Sequence, residues 1–196
     1  MTENRKIFQI GTNRCGTLSI GKGLQRAGME SIHFDGGHLA VRMQKRLDNG
    51  EDPVMDYPGV QVFTDMENAM DGGCPGNLIF IYKRFKEIYQ WYPQALYILN
   101  TRRMEDWIQS LHHHRSGFTE THRKYYGLDT VEQVFDLWRR EWKKHHKAVR
   151  KFFKGKDNFL EWNIDKDSFK PLADFCGVDE KHFRVEHRSN WRSKVK

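Results

Sequence analysis

Cysteine is scarce in this chain: there are three, Cys15, Cys74 and Cys176, an odd number with no CxxC pair among 196 residues. That argues against a disulfide framework and against a cysteine zinc site, and predicts reduced thiols in a cytoplasmic setting. Long apolar runs are missing too. None approaches the roughly 18–20 residues of a membrane span, and the start, Met1-Thr2-Glu3-Asn4-Arg5-Lys6, lacks the apolar core of a signal peptide. The chain is therefore expected to be neither secreted nor membrane-spanning. Acidic residues are in deficit, 26 against 33 Lys and Arg, for a net charge of +7. So basic a balance points to anionic partners: nucleic acid, a phosphorylated cofactor or an acidic substrate.

What is present speaks for a packed domain. Aromatic residues make up 13 %, with 6 Trp and 13 Phe, too many for a disordered chain. A chain of 196 residues has the size of one domain and buries roughly 70 % of its extended surface, enough to fold without metal. We expect a single domain over residues 1–196, with a basic tail at about 180–196. Short apolar runs alternate with longer amphipathic stretches, which predicts a parallel sheet with crossover helices. Strands are predicted at 6–11, 31–34, 60–64, 95–100 and 158–162. Helices are predicted at 16–27, 39–47, 78–91, 104–113, 130–153 and 168–176. Asp129 with Glu132 resembles a capping box for the longest helix. The segments 49–58, 71–77 and 116–128 read as loops, and His145-His146 as surface. Five strands with helices between them make a three-layer α/β domain whose sheet is mostly parallel.

The run Gly11-Thr12-Asn13-Arg14-Cys15-Gly16-Thr17 follows the first strand and opens a helix. Backbone N–H groups of such a turn, with the helix N-terminus, form a concave donor cradle for phosphate or sulfate. Gly11 and Gly16 have the spacing of the nucleotide motif GxxxxGK[ST]. Thr17 stands where that motif places its Lys, and Leu18 where it places the Mg²⁺-binding hydroxyl. Both losses weaken a reading of nucleotide hydrolysis or phosphoryl transfer. A tight strand-to-helix turn would need the same glycines for its backbone alone.

A strand followed by this turn resembles the phosphosulfate loop of the sulfotransferases that use 3′-phosphoadenosine 5′-phosphosulfate (PAPS). A second, distant segment carries the resemblance further. Straight after the strand Ala95–Asn100 comes Arg102-Arg103-Met104-Glu105-Asp106-Trp107-Ile108-Gln109-Ser110, similar to the family's 3′-phosphate site. Arg103 and Met104 depart from the Asn and Pro found there. The stretches Tyr92–Ala95 and Phe159–Val178 also resemble small bacterial-type members. The resemblance implies a P-loop nucleotide-hydrolase-like fold. It also implies that Arg14, Cys15, Gly16, Thr17, Leu18 and Ser19 line the 5′ end of PAPS. Arg102 and Ser110 would grip its 3′-phosphate, and Arg188 and Arg192 of the tail would close over it. Asp106 is expected to orient an arginine or cap its helix.

Sulfonate transfer is in-line attack by an acceptor hydroxyl or amine on sulfur, with adenosine 3′,5′-bisphosphate leaving; no metal is needed for the chemistry. It needs a base on the acceptor and positive charge at the transferring group. Arg14 supplies charge and, with a pKa above about 12, no proton; Lys22 is a second cation, more at home on the surface. Catalytic groups in open α/β sheets collect at the C-terminal strand ends. There Asp65 is the first choice as base and His33 the second, with Asp35 beside it. Basic surroundings are expected to lower the Asp65 pKa. The run His112-His113-His114 points its rings apart and makes a poor metal site. Two other readings stay open: a small-molecule or nucleotide kinase with a degenerate P-loop, and a basic nucleic-acid-binding protein. The acceptor and the oligomeric state are not legible.

Overall fold

The computed structural model describes residues 5–69, 78–114 and 117–186. Its strands are β1 (Ile7–Gln9), β2 (Ser31–His33), β3 (Val62–Thr64), β4 (Glu67–Asn68), β5 (Ile79–Phe80), β6 (Leu96–Thr101) and β7 (Phe159–Asn163). Five of them form one sheet in the order β2-β3-β1-β6-β7, parallel throughout. β1 pairs with β3 and β6 in the register Phe8↔Phe63 and Phe8↔Tyr97. Every residue of β1, β3 and β6 is buried, as expected for central parallel strands covered on both faces.

The helices are α1 (Thr17–Arg26), α2 (His38–Asp48), α3 (Phe85–Trp91), α4 (Met104–His112), α5 (Phe118–Tyr125), α6 (Val131–Phe153) and α7 (Lys170–Cys176). Alternation along the strands makes the layers. Phe8, Phe63, Tyr97 and Leu99 pack against Met43 of α2, Ile88 of α3 and Phe153 of α6. Ile7, Val62, Ile98 and Trp162 pack on the other side against Ile20 and Leu24 of α1 and Leu172 of α7. A third cluster joins Trp107 and Ile108 of α4, Phe118 of α5 and Val134 and Trp138 of α6 beyond the strand ends. The three-layer α/β architecture is as the sequence predicts. No helix among the described residues is long and apolar enough to cross a membrane.

Four local expectations need correction. The helix predicted at 78–91 begins only at Phe85; Ile79 and Phe80 pair antiparallel with β4, and a 3₁₀ turn covers Ile81–Arg84. The capping box is one residue later than predicted, formed by Thr130 and Gln133. The predicted loop 116–128 contains α5, because Phe118, Thr119 and His122 recur at helical spacing and all are buried. His145 and His146 are buried and not on the surface, since they continue the stripe of Trp138, Val149 and Phe153 that faces the sheet. The predicted turn at 71–77 lies outside the described residues.

Candidate active site

The loop between β1 and α1 is anchored by its carbonyls. His145 Nε2 donates to Ile10 O at 2.7 Å, Gln9 Nε2 to Gly11 O at 2.7 Å, and Asn100 Nδ2 to Thr12 O at 3.0 Å. Trp107 Nε1 donates to Asn13 O at 3.2 Å, Arg102 Nη1 to Arg14 O at 3.1 Å, and Asn100 Nδ2 again to Cys15 O at 3.1 Å. Six consecutive carbonyls are thus held by side chains. In a trans peptide the N–H points opposite to the C=O, so this anchoring turns the loop's N–H groups toward the open side. Gly11 permits it: a Cβ there would overlap the main-chain and side-chain oxygens of Asn100.

Helix α1 then starts at Gly16, which has a left-handed φ of 86°. A Cβ on Gly16 would also sit 2.7 Å from Ile164 Cδ1. No side chain caps α1 and no acidic residue occupies its first turn. Its first N–H groups and the positive end of its dipole therefore have no side-chain partner among the described residues, the arrangement an anion suits.

Beside this cradle, side chains far apart in sequence converge. Arg14 Nε donates to Ser110 Oγ of α4 at 3.1 Å. The Arg102 side chain is only 12 % exposed and reaches Asp165 Oδ1 with Nη2 at 3.3 Å. Its Nε is buried without a hydrogen-bond partner among the described residues, a charged donor of the kind an anion would satisfy. Asp106 accepts from Arg103 Nε and Nη2 at 2.9 and 2.7 Å, so its charge is used inside α4's first turn. Asp165 also accepts the Arg103 N–H at 3.0 Å and so frames this corner.

The opposite wall is acidic. Asp65 follows β3 with a φ of 56°, its N–H donating to Gln9 Oε1 at 2.8 Å. Its Oδ1 is buried with no hydrogen-bond partner among the described residues, and Oδ2 lies 3.6 Å from His33 Nε2. Burial raises the Asp65 pKa to about 6, against an opposing pull from Arg14. The expectation that cations would lower it is thus overturned, because desolvation outweighs them. Burial, with Lys22 nearby, lowers His33 to about 4, leaving a neutral imidazole whose Nδ1 lies 3.0 Å from Thr64 Oγ1. Glu67 on β4 is buried and held well above the usual carboxylate range, by desolvation and then by Asp65. Its Oε1 accepts from Asn13 Nδ2 of the anchored loop.

These walls enclose a cleft of about 290 Å³. It brings together most of the residues singled out from the sequence: Arg14, Gly16, Thr17, Leu18 and Ser19 on one side, Arg102 and Ser110 beside them, and His33 and Asp65 opposite. Cys15 does not line it. That side chain is fully buried in the α4–α6 cluster, and burial pushes its thiol up to about 12. Asp35 falls in an exposed 3₁₀ turn away from the cleft, and Lys22 is exposed on α1. Arg188 and Arg192 lie outside the described residues. All four non-glycine residues with positive φ among those described, Arg14, Phe34, Asp35 and Asp65, sit at the C-terminal ends of β1, β2 and β3. Such strain collects where function over-determines the backbone. Sequence reasoning missed Gln9, Asn100, Trp107, His145, Glu67 and Asp165. The available signal was a polar residue inside an apolar run, as in KIFQIG and ALYILN.

No curated protein matches the chain. Residues 6–142, more than two-thirds of its length, match the sulfotransferase domain, and this stretch carries the anchored loop, α1, Asp65, Arg102 and Ser110. With that match and its parallel five-stranded α/β sheet, the chain belongs to the sulfotransferase domain family, whose members transfer a sulfonate group.

Proposed function

We propose that this chain moves the sulfonate of PAPS to a hydroxyl or amine acceptor by in-line attack. The observation that carries the reading is the pairing of two anion-binding corners in one cleft. The loop with α1 makes one, Arg102 with Ser110 makes the other, and the Arg14–Ser110 hydrogen bond joins them. A nucleotide phosphorylated at both 3′ and 5′ positions matches that pairing; one phosphorylated only at 5′ leaves Arg102 Nε unmet. Thr17 and Leu18 in place of Lys and a Mg²⁺-binding hydroxyl disfavour the kinase alternative.

In this reading Asp65, about 6 in pKa and so ionised at neutral pH, takes the acceptor's proton through its unpartnered Oδ1 as the acceptor attacks sulfur. The bond from sulfur to the bridging oxygen breaks, and the charge left on the 5′-phosphate meets the loop N–H groups and Arg14. Arg14 acts by charge alone, since its guanidinium keeps its proton. Neutral His33 borders Asp65 and fixes the side from which the acceptor approaches. A cytoplasmic setting belongs to the same reading, supported by the buried free thiols of Cys15 and Cys176.

Calorimetry with adenosine 3′,5′-bisphosphate and AMP tests it. We expect roughly ten- to a hundredfold tighter binding of the bisphosphate, the worth of one charge-assisted contact, and Arg102→Ala should erase most of that difference. Equal affinities, or a larger thermal shift from ATP with Mg²⁺, would overturn the assignment.

A further inference from the structure

Behind Glu67 the cleft continues into a second recess of about 30 Å³, sharing Asn13, Glu67 and Phe118 with it. Aromatic rings wall it: Phe80, Tyr82, Phe118, His122, Tyr126 and Trp138. Trp138 is only 4 % exposed and its Nε1–H is buried with no hydrogen-bond partner among the described residues. A buried donor left unpaired in this way is destabilising unless a ligand atom meets it.

Two of the charged groups around the recess pair with each other. Lys83 Nζ pairs with Glu141 Oε2 at 2.7 Å and lies 4.7 Å from the Phe80 ring centre. Glu67, the third, is pushed well above the usual carboxylate range by burial and then by Asp65, against the pull of Lys83. Burial also keeps His122 neutral, at about 4. An ammonium entering here would face Lys83, and a carboxylate would face Glu141 and Glu67; each would lose its hydration beside a Lys83–Glu141 pair already made. Since one water needs roughly 10–15 Å³, the volume admits one oxygen and the carbon that bears it.

Resting on the sulfotransferase reading, we propose that this recess binds the far end of the acceptor. The acceptor class is then a small uncharged alcohol with a second hydroxyl or ether oxygen, which accepts a hydrogen bond from Trp138 Nε1 while the first hydroxyl lies at Asp65.

The test follows the indole N–H signals of the ¹⁵N-labelled full chain by NMR, with and without adenosine 3′,5′-bisphosphate. Trp138→Phe identifies the Trp138 signal. The probes are 1,4-butanediol, 4-aminobutan-1-ol, 4-hydroxybutanoate and 1-butanol, alike in length and different at the far end. The Trp138 signal should move saturably with the diol, at concentrations about tenfold below those of either charged analogue, one hydrogen bond's worth of discrimination. With 1-butanol it should barely move. No movement with the diol, or equal response to a charged analogue, overturns the proposal. Should Trp138→Phe fail to fold, Lys83→Met gives a second measure. It leaves Glu141 unbalanced and should shift preference to 4-aminobutan-1-ol; an unchanged preference for the diol there also overturns the proposal. Calorimetry on the same samples keeps the two readings apart. Lost nucleotide binding with an intact Trp138 response removes the PAPS assignment and leaves the recess; the reverse removes the recess alone.

Discussion

Helix α6 begins with Thr130, whose hydroxyl accepts the Gln133 N–H at 3.2 Å, while Gln133 Oε1 accepts the Thr130 and Asp129 N–H groups at 3.0 and 2.7 Å. Helix α1 begins at Gly16 with no side-chain cap and no acidic residue in its first turn. A cap is worth about 0.5–2 kcal/mol, so α1 forgoes a stabilisation that α6 takes. Fully buried Ile20 and Leu24 hold α1 to the sheet instead. The difference teaches where to look for chemistry. Among the described α-helices only α6 has a side-chain N-cap; what sets the open start of α1 apart is its place, since Gly16, Thr17, Leu18 and Ser19 all line the cleft.

That contrast can be broken most severely on the wall facing α1. If the open helix end serves a reaction, Asp65→Asn should lower sulfonate transfer by about 10²–10⁴ while calorimetric nucleotide affinity survives. Normal transfer by that variant, with transfer lost in His33→Gln, would assign the base to His33. Next in size, Leu18→Glu closes the α1 start with a carboxylate. Its melting temperature should hold or rise, since the charge suits the helix dipole, while adenosine 3′,5′-bisphosphate affinity falls by about a hundredfold. Unchanged affinity would show that the α1 end receives no anion.

A pH profile sharpens the contrast on a smaller scale. Transfer should rise with pH through about 6 as Asp65 ionises, roughly tenfold between pH 5 and 7. Stability runs the opposite way at this group. A carboxyl whose pKa is raised by folding holds its proton more tightly when folded. Its contribution is present in acid and lost as pH rises from the ordinary 3.8 to about 6. Asp65→Asn should flatten that part of a stability–pH curve measured by denaturant unfolding. Smallest is Thr130→Ala, which should remove about 1 kcal/mol of stability and leave nucleotide affinity untouched. A nucleotide effect there would mean that both helix starts serve the site.

Much of this was legible before any coordinates. Central parallel strands are mostly apolar, so β1 and β6 stand out; Gly11, Arg14 and Arg102 are readable because each follows one of them, and Ser110 because it lies on the helix after β6. Local ambiguity explains some misses. Asp129-x-x-Glu132 and Thr130-x-x-Gln133 satisfy the same pattern one residue apart, and only the backbone chooses between them. The apolar run Leu78–Tyr82 suits either period, and pairing with β4 decides it. Burial explains the rest. Whether His146 is a surface residue or the acceptor of the Thr101 hydroxyl at 3.0 Å depends on packing that no local pattern states. The sign of the Asp65 shift turns on the same thing, because desolvation has no sequence signature.

The anchored loop also sets an order of assembly. Its carbonyls wait for partners made after it: Asn100 and Trp107, 88 and 94 residues downstream of the carbonyls they hold, and His145, 135 residues downstream of Ile10. β1 itself lies in the interior of the sheet and needs β6 beside it. Closing contacts over such separations is slow, and a nascent chain that ends before α6 has nothing to hold Ile10 O. The glycine turn is therefore made well before the partners that finish it, and a chain terminated ahead of α6 would carry the turn without the site.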